Sequence, residues 1–510
     1  MSENNLKWGS KIFMNIFSII ILRNLLEMLL KKGDDWNLMV LDDYLCWWVH
    51  NPLFYFTLVI GIIFIADILL NISLKVIIKS VTAGFSIILI GPITDYIMNV
   101  GSIPYLYVKD PAYIVPIAIN IINPSVSLLS IGVTPGPRLE IFIATIFSAV
   151  FVYLQEPVIN KFEKVFLSVV SAIFIYLWIV FLCMWPAVIY SFHSLSEGFV
   201  LNNIVYSKIY LSFLLIFCSI LIAKYNKPFF VNIVRFIRPK RYFHYLFIIV
   251  AGVLISIKVS GSDYLTSMDP INFFLNIFFP FIAFTSIFIS TTIINDLTDY
   301  AEDSINNRNL INSPDMRNEA IVILIITFII AMLTSYLCST RAMSIILGLS
   351  ALNIIYSVPP IRLKVHFPFA YILLALGSVL MYIFGAILFN PINIFSVIKI
   401  DYVILIFVVT LFGAFIKDLP DYKGDKNANI KTLPVLLSPA SNKLFYSILL
   451  ISVYGYVIIF GLSFSRYSII IALPAVFSVK EIIQNPFSNS RLFIAYFISF
   501  FLTLTFIFIK

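Results

Sequence analysis

Charged residues are scarce in this sequence, at 12% of 510 residues, whereas soluble domains carry about 25%. Hydrophobic residues make up 61% of the chain, and the mean hydropathy is +1.00. This composition excludes an ordinary soluble globular protein. It predicts an all-α polytopic membrane protein, because helices satisfy their own backbone hydrogen bonds in lipid.

Cysteine and histidine are also sparse, with four of each. The cysteines form no C-x-x-C pair, which excludes the usual zinc sites and a disulfide framework, and the histidines show no ligand spacing. The net charge is +8. In a membrane protein an excess of Lys and Arg mainly reflects orientation in the membrane, so this charge predicts no nucleic-acid partner. The first hydrophobic stretch has no small-residue cleavage site after it, which predicts a retained span and no signal peptide.

Apolar runs of roughly 17–25 residues predict two sets of membrane-spanning helices. About six fall in the first half, near 11–30, 52–72, 76–97, 139–156, 165–191 and 206–223. Nine follow, near 243–259, 272–294, 320–338, 342–358, 368–389, 401–417, 444–462, 467–479 and 491–509. Residues 112–133 are apolar but interrupted by prolines, so a non-spanning segment is favoured there over a further span.

A basic stretch at residues 224–242 separates the two sets and contains no acidic residue. The positive-inside rule places it in the cytoplasm, although it also has the composition of an amphipathic helix on anionic lipid headgroups. We therefore expect an N-terminal membrane domain of unknown function at 1–223, the basic cytoplasmic linker at 224–242, and a second membrane domain at 243–510.

Two acidic clusters follow predicted spans of the second domain, and both fall on the cytoplasmic side. If the helix preceding the first cluster continues, its aspartates share one face. Such like charges repel, so a cation is expected between them, and oxygen ligands of this kind suit Mg²⁺ shared with a substrate phosphate. The candidate metal ligands are Asn295, Asp296, Asp299 and Asp303 in the first cluster, and Asp418, Asp421 and Asp425 in the second.

Three motifs in the second half resemble those of the UbiA superfamily of intramembrane prenyltransferases, over about residues 235–510. The two acidic clusters are similar to its two aspartate-rich motifs, and Tyr356-Ser-Val-Pro-Pro-Ile-Arg-Leu-Lys364 is similar to its signature after the fourth span. The segment Arg308-Asn-Leu-Ile-Asn-Ser313 departs from the family's Arg-Pro-Leu-Pro-Ser-Gly pattern, keeping Arg308 and Leu310.

The resemblance implies a nine-helix bundle that transfers an isoprenyl chain from its diphosphate to a lipophilic acceptor, with Mg²⁺ as cofactor. Quinone precursors, tetrapyrroles and glycerol-phosphate lipids are acceptors in this superfamily, and one sequence does not select among them. Asp299 and Asp421 are the implied catalytic carboxylates, and the ring of Tyr356 would stabilise the allylic cation. The candidate diphosphate ligands are Arg308, Arg362, Lys364 and Lys417.

Simpler interpretations remain open for these residues. The aspartates are also consistent with solvated helix ends, and Arg362 and Lys364 with positive-inside anchors. A non-catalytic scaffold, or a transporter or lipid-binding protein with the same fold, is the alternative function. Apolar segments of the first half also contain charged residues, namely Asp67, Asp95 and the i, i+4 pair Arg23–Glu27. Two interpretations of these charges are open: a structural role, or a place in an unassigned binding site.

Overall fold

The computed structural model describes most of the chain. The described residues are 3–30, 41–100, 110–123, 125–129, 133–155, 160–192, 203–260, 270–299, 311, 314–388, 398–417, 426, 432–437, 439–483 and 489–509. All regular elements in these ranges are helices. The chain divides into two compact units, Met1–Phe230 and Val231–Lys510.

The first unit contains long helices connected by short ones. Its helices are α1 (Glu3–Leu29), α2 (Leu41–Leu69), α3 (Leu74–Gly84), α4 (Ile90–Ile97), α5 (Ile114–Asn120), α6 (Pro135–Gln155), α7 (Lys161–Phe192) and α8 (Asn203–Tyr225). A 3₁₀ segment joins α3 to α4. Helix α5 is seven residues long, which is about 10 Å and too short to span, in agreement with the non-spanning expectation.

Intramembrane charges of the first unit have partners within it. Arg23, whose side chain is 6% exposed, forms ion pairs with Glu27 (2.9 Å) and Glu140. The carboxylate of Asp95 accepts hydrogen bonds from Thr134 Oγ1 (2.6 Å) and the Gly136 amide (2.7 Å). These bonds tie α1, α4 and α6 together, so they have a structural role whatever else they do.

The basic linker is largely helical. Helix α9 (Lys227–Arg235) follows α8 after one residue, and α10 begins at Pro239. Among the described residues, five α-helices begin at a proline, which lacks the amide hydrogen that a first helical residue leaves unbonded. They begin at Pro135, Pro239, Pro270, Pro314 and Pro439.

Nine longer helices and one short helix make up the described part of the second unit. They are α10 (Pro239–Ser260), α11 (Pro270–Thr298), α12 (Pro314–Cys338), α13 (Thr340–Ser357), α14 (Phe369–Ile387), α15 (Ile400–Lys417), the short α16 (Leu433–Leu436), α17 (Pro439–Leu462), α18 (Ala472–Ile483) and α19 (Asn489–Ile509). The predicted all-α bundle is confirmed.

Twelve helical stretches of the described residues are long and apolar enough to cross a membrane, six of them in the second unit. The chain is thus an integral membrane protein. Three of the nine spans predicted for the second unit correspond to helices shorter than these twelve stretches. Apolar stretches of α15 and α19 cover Ile400–Phe415 and Arg491–Ile507, and α18 has 12 residues because a 3₁₀ turn (Arg466–Ile471) precedes it.

Helices α10 and α14 pack closely through two glycines. A Cβ atom on Gly385 would lie 2.1 Å from the carbonyl oxygen of Ile249, and one on Gly252 would lie 2.3 Å from that of Tyr382. Small residues allow such close approach of helices in membranes, where packing drives association. This contact helps to fix α10, whose N-terminal turn contributes to the site described next.

Candidate active site

The first acidic cluster lies at the C-terminal end of α11. The helix ends at Thr298, and the Asp299 amide still donates to the Asn295 carbonyl oxygen (2.9 Å). The Thr298 hydroxyl donates to the carbonyl oxygens of Ile294 and Asn295 (both 3.0 Å), which satisfies acceptors at the helix end. The predicted continuation of this helix through Asp303 falls on residues 300–303, which lie outside the described residues.

Asp296 is the most buried of the predicted site residues that the structure describes. Its side chain is 2% exposed and forms an ion pair with Arg238, which is 27% exposed. Arg238 directly precedes α10, so this pair joins the start of one helix to the end of another. A carboxylate removed from water needs such compensation.

Asp299 is bound by the two cations of the predicted signature. Arg362 Nη2 lies 3.3 Å from its Oδ1 atom, and Lys364 Nζ forms an ion pair with the same oxygen. These residues sit in the turn between α13 and α14, where Arg362 has a φ of 35° in the left-handed region. That conformation costs a non-glycine residue of order 1–3 kcal/mol and is concentrated at functional sites.

Helix α13 reinforces this end of the bundle. The Ser357 hydroxyl donates a hydrogen bond to Asn295 Oδ1, which connects the signature segment to the first acidic cluster. The neighbouring Tyr356 lines the cavity described below. The structure therefore brings together Asn295, Asp296, Asp299, Tyr356, Arg362 and Lys364.

A cavity of about 540 Å³ opens from this group into the second unit. Its polar lining includes Arg238, Asn295, Asp296, Asp299 and Lys364, whereas Arg362 is outside the lining. Its lining along α10 runs from Arg238 to Ile255, a distance of about 25 Å at 1.5 Å per helical residue. Beyond the polar end the lining is mainly aliphatic and aromatic, with residues such as Ile287, Leu405 and Val457.

Residues 246–504, just over half of the chain, match the model of the UbiA prenyltransferase family. The chain belongs to the UbiA prenyltransferase family. The match lies within the second unit, and it includes both acidic clusters and the signature segment, which confirms the resemblance noted in the sequence.

Individual UbiA proteins are distant relatives of this chain. It is 26% identical over 155 residues to digeranylgeranylglyceryl phosphate synthase of Methanosphaera stadtmanae, over 29% of this chain and 54% of that enzyme. The chain thus spans about half the length of this curated relative. A UbiA homolog from Archaeoglobus fulgidus bound to DMAPP and Mg²⁺ is 16% identical, with a TM-score of 0.40 over 55% of this chain and 98% of the other.

A solved structure of a digeranylgeranylglyceryl phosphate synthase is similar to the same degree. It is 17% identical to this chain, with a TM-score of 0.37 over 54% of this chain and 99% of the other.

Several predicted site residues lie outside the described part of the UbiA unit. For Lys417 the structure describes the backbone at the end of α15 but not the side chain. The others are Asp303, Arg308, Asp418, Asp421 and Asp425. Their roles stay predictions.

The described residues fit part of a magnesium site. They contain no group of three or more His, Cys, Asp or Glu side chains placed to hold a metal ion. Asp296, Asp299 and Asn295 nevertheless present carboxylate and amide oxygens at one cavity wall, which is the donor type that Mg²⁺ prefers. Since Mg²⁺ takes its remaining ligands from water and substrate phosphates, this incomplete set is compatible with it.

Arg238 is the site residue that sequence reasoning missed. The charges of the basic linker indicate topology, and nothing in their spacing singles out one arginine. The sequence does contain a signal for this pairing, because the positive-inside rule places the linker and the acidic clusters on the same side of the membrane. Arg238 also directly precedes the proline that starts α10.

Proposed function

We propose that this UbiA protein is an intramembrane prenyltransferase, which moves an isoprenyl chain from a prenyl diphosphate to a lipophilic acceptor. One observation carries the proposal: a single cavity, whose lining along α10 is about 25 Å long, has charged residues at one end and a mainly apolar lining beyond them. A prenyl diphosphate has the same division, with a polyanionic head and a hydrocarbon tail. The proposed catalytic domain is residues 243–510.

The head would bind at the polar end of the cavity. Lys364 and Arg362 already converge on Asp299, and they would contact the diphosphate, arginine in bidentate fashion and lysine as a point charge. Arg308 and Lys417 are proposed for the same role from their motif positions.

The two acidic motifs would hold magnesium. Asn295, Asp296 and Asp299 supply oxygens from the first motif, and Asp303, Asp418, Asp421 and Asp425 are proposed to complete the set. Bound Mg²⁺ would supply Lewis-acid stabilisation of the negative charge on the departing diphosphate. Asp299 and Asp421 are the proposed catalytic carboxylates because each is central in its motif.

The tail would lie along the apolar lining, where water is excluded from the reacting carbon. Tyr356 lines the cavity, and its ring would stabilise an allylic cation there. The acceptor would then form a bond to that carbon and lose a proton. The name of the curated relative from Methanosphaera stadtmanae supports a glycerol-phosphate lipid as acceptor ahead of quinone precursors or tetrapyrroles.

The polar end of the cavity is proposed to face the cytoplasm. The basic residues of the linker lie beside it in the chain, and the positive-inside rule places such residues there.

The test is release of diphosphate from labelled geranylgeranyl or farnesyl diphosphate by membranes that contain the full chain. We expect Mg²⁺-dependent release that falls at least a hundredfold in Asp299→Ala and Asp421→Ala. Asp401→Ala is a matched control, because Asp401 is an exposed aspartate in the first turn of α15. Absence of release from the wild-type protein, or release unaffected by both site variants, contradicts the proposal.

A further inference from the structure

The first unit contains a group of intramembrane charges that the proposed function does not use. Arg23 of α1 forms ion pairs with Glu27 of the same helix (2.9 Å) and with Glu140 of α6. Asp95 of α4 is a third carboxylate in this region, and both of its hydrogen-bond partners are uncharged. We call Arg23, Glu27, Asp95 and Glu140 the buried charge cluster.

Negative charge exceeds positive charge in the buried charge cluster. Three carboxylates face one guanidinium, so full ionisation would leave a net charge of two negatives, which is costly inside a membrane domain. The ring of Tyr55, 5.1 Å from the Arg23 guanidinium, is uncharged near neutral pH. On α1, α2, α3 and α6, other described charged or histidine side chains are bound elsewhere or lie a dozen or more residues from the cluster on their own span: Lys11, His50, Asp67, Lys75, Lys79 and Arg138.

The two glutamates sit at helix ends of opposite polarity. Glu140 Oε1 accepts a hydrogen bond from the Gly91 amide (2.7 Å) in the first turn of α4, where the helix dipole favours a carboxylate. Glu27 lies in the last turn of α1, which contains no basic residue, and there the dipole disfavours a carboxylate. Among the described residues Glu27 has no hydrogen-bond or ion-pair partner except Arg23. Protonation of Glu27 is therefore the least costly way to reduce the excess negative charge.

The cluster contacts an interrupted span. The stretch Leu74–Ile97 is long and apolar enough to cross a membrane, but the 3₁₀ segment Phe85–Leu89 interrupts it near its middle. The carbonyl oxygen of Ile88 in this segment accepts a hydrogen bond from Arg23. Interrupted helices supply backbone groups to ion and substrate sites in membrane proteins, and a 3₁₀ stretch inside a helix often marks a functional hinge. The position of the cluster is thus typical of a binding site.

Buried donor atoms at the cluster indicate a polar ligand as well. Arg23 Nε and Asn24 Nδ2 have no hydrogen-bond partner among the described residues, although these residues are only 5% and 1% exposed. Buried donors are normally satisfied by a protein group or an ordered water molecule. A water molecule that accepts a hydrogen bond from Arg23 is also able to pass a proton to a carboxylate. Glu27 is two residues from the end of α1, about 3 Å along the helix axis, so the aqueous phase is close.

We propose that the first unit binds an exchangeable proton on Glu27, and that Arg23 and Glu140 form the ion pair that positions this carboxyl group. The proton comes from the aqueous phase next to the end of α1 and returns to it, and one O–H bond of Glu27 forms and breaks in each exchange. The site belongs wholly to the first unit, and it does not depend on prenyl transfer by the second.

Carbodiimide labelling of the purified full chain tests this assignment. Dicyclohexylcarbodiimide reacts with protonated carboxyl groups in apolar surroundings, and peptide mass spectrometry locates and quantifies the adduct. Glu481 is an internal control, because it is buried and paired with one arginine, Arg491 (3.1 Å). We expect labelling of Glu27 to exceed that of Glu140 and Glu481, and to fall about tenfold or more between about pH 5 and about pH 9.

Two variants test the shared ion pair. Glu140→Gln leaves Arg23 with Glu27 as its ion-pair partner, and an opposite charge at this range favours the ionised form by about tenfold or more. Labelling of Glu27 should therefore fall by that factor. Glu163→Gln removes an exposed glutamate from the first turn of α7 and should leave the labelling unchanged. Labelling of Glu27 that is unaffected by Glu140→Gln overturns the proposal.

Two comparisons on the wild-type protein remain decisive if Glu140→Gln does not fold. Labelling of Glu27 no greater than that of Glu481 would show that Glu27 is an ordinary ionised carboxylate, and the proposal would be wrong. Replacement of choline by Na⁺ at constant pH should not change the labelling. Protection of Glu27 by Na⁺ would mean that the cluster binds a metal cation in place of a proton, which also contradicts the proposal.

Discussion

The close contact between α10 and α14 predicts how much a substitution at Gly385 lowers the stability of the protein. Gly385→Ala would place a methyl group 2.1 Å from the Ile249 carbonyl oxygen, a backbone atom, where distances below 3.0 Å require something to shift. Overpacking of this kind costs about 1–3 kcal/mol, and the better helix propensity of alanine returns about 0.5–1 kcal/mol. From the middle of both ranges we expect a net loss of about 1 kcal/mol in the free energy of unfolding.

The assay is reversible unfolding of the purified protein by SDS in mixed micelles. Gly377→Ala is the matched control, since Gly377 lies on the same helix and a Cβ there meets nothing within 4 Å. We expect the control to be neutral or more stable than the wild type. Equal stability of Gly385→Ala and Gly377→Ala would refute the close packing of α10 on α14.

Four further predictions concern the site and its side of the membrane. Lys364→Ala should raise KM for the prenyl diphosphate about tenfold or more, while Lys399→Ala, an exposed lysine just before α15, should leave steady-state kinetics unchanged. Ser357→Ala removes the hydrogen bond to Asn295 and should lower stability by about 1 kcal/mol in the SDS assay; no change would mean that the bond contributes nothing. Removal of divalent cations with EDTA should stop diphosphate release and added Mg²⁺ should restore it, whereas full activity in EDTA contradicts a metal role. A cysteine at the exposed position Lys426 should react with an impermeant maleimide only from the cytoplasmic face, and labelling from outside would overturn the topology.

The long apolar helices could be predicted from the sequence because their signal is local. For example, the sequence predicts a span at 368–389, and helix α14 occupies Phe369–Ile387. Its ends follow from Pro368 and from the composition of the segment, which requires no knowledge of distant residues. Helix α18 was less predictable, because a 3₁₀ turn replaces its first residues.

Contacts within the site could be predicted only where both contacting residues belong to motifs of one family. Asp299 and Lys364 are 65 residues apart, and only the resemblance of both segments to one family indicated that they meet. Arg238 belongs to no recognised motif, so its pairing with Asp296 depended on how α10 and α11 pack. The same limit applies to Arg23 and Glu140 in the first unit, whose ion pair joins residues 117 positions apart.

Formation of a prenylated product tests the central claim most directly. The full chain in lipid vesicles would be given labelled geranylgeranyl diphosphate, Mg²⁺ and a phosphate-bearing ether lipid, and products would be identified by mass spectrometry. The account predicts a lipid heavier by one prenyl group, formed with one diphosphate per product and lost in Asp299→Ala. Recovery of the donor intact, or a product formed equally by Asp299→Ala, would contradict it.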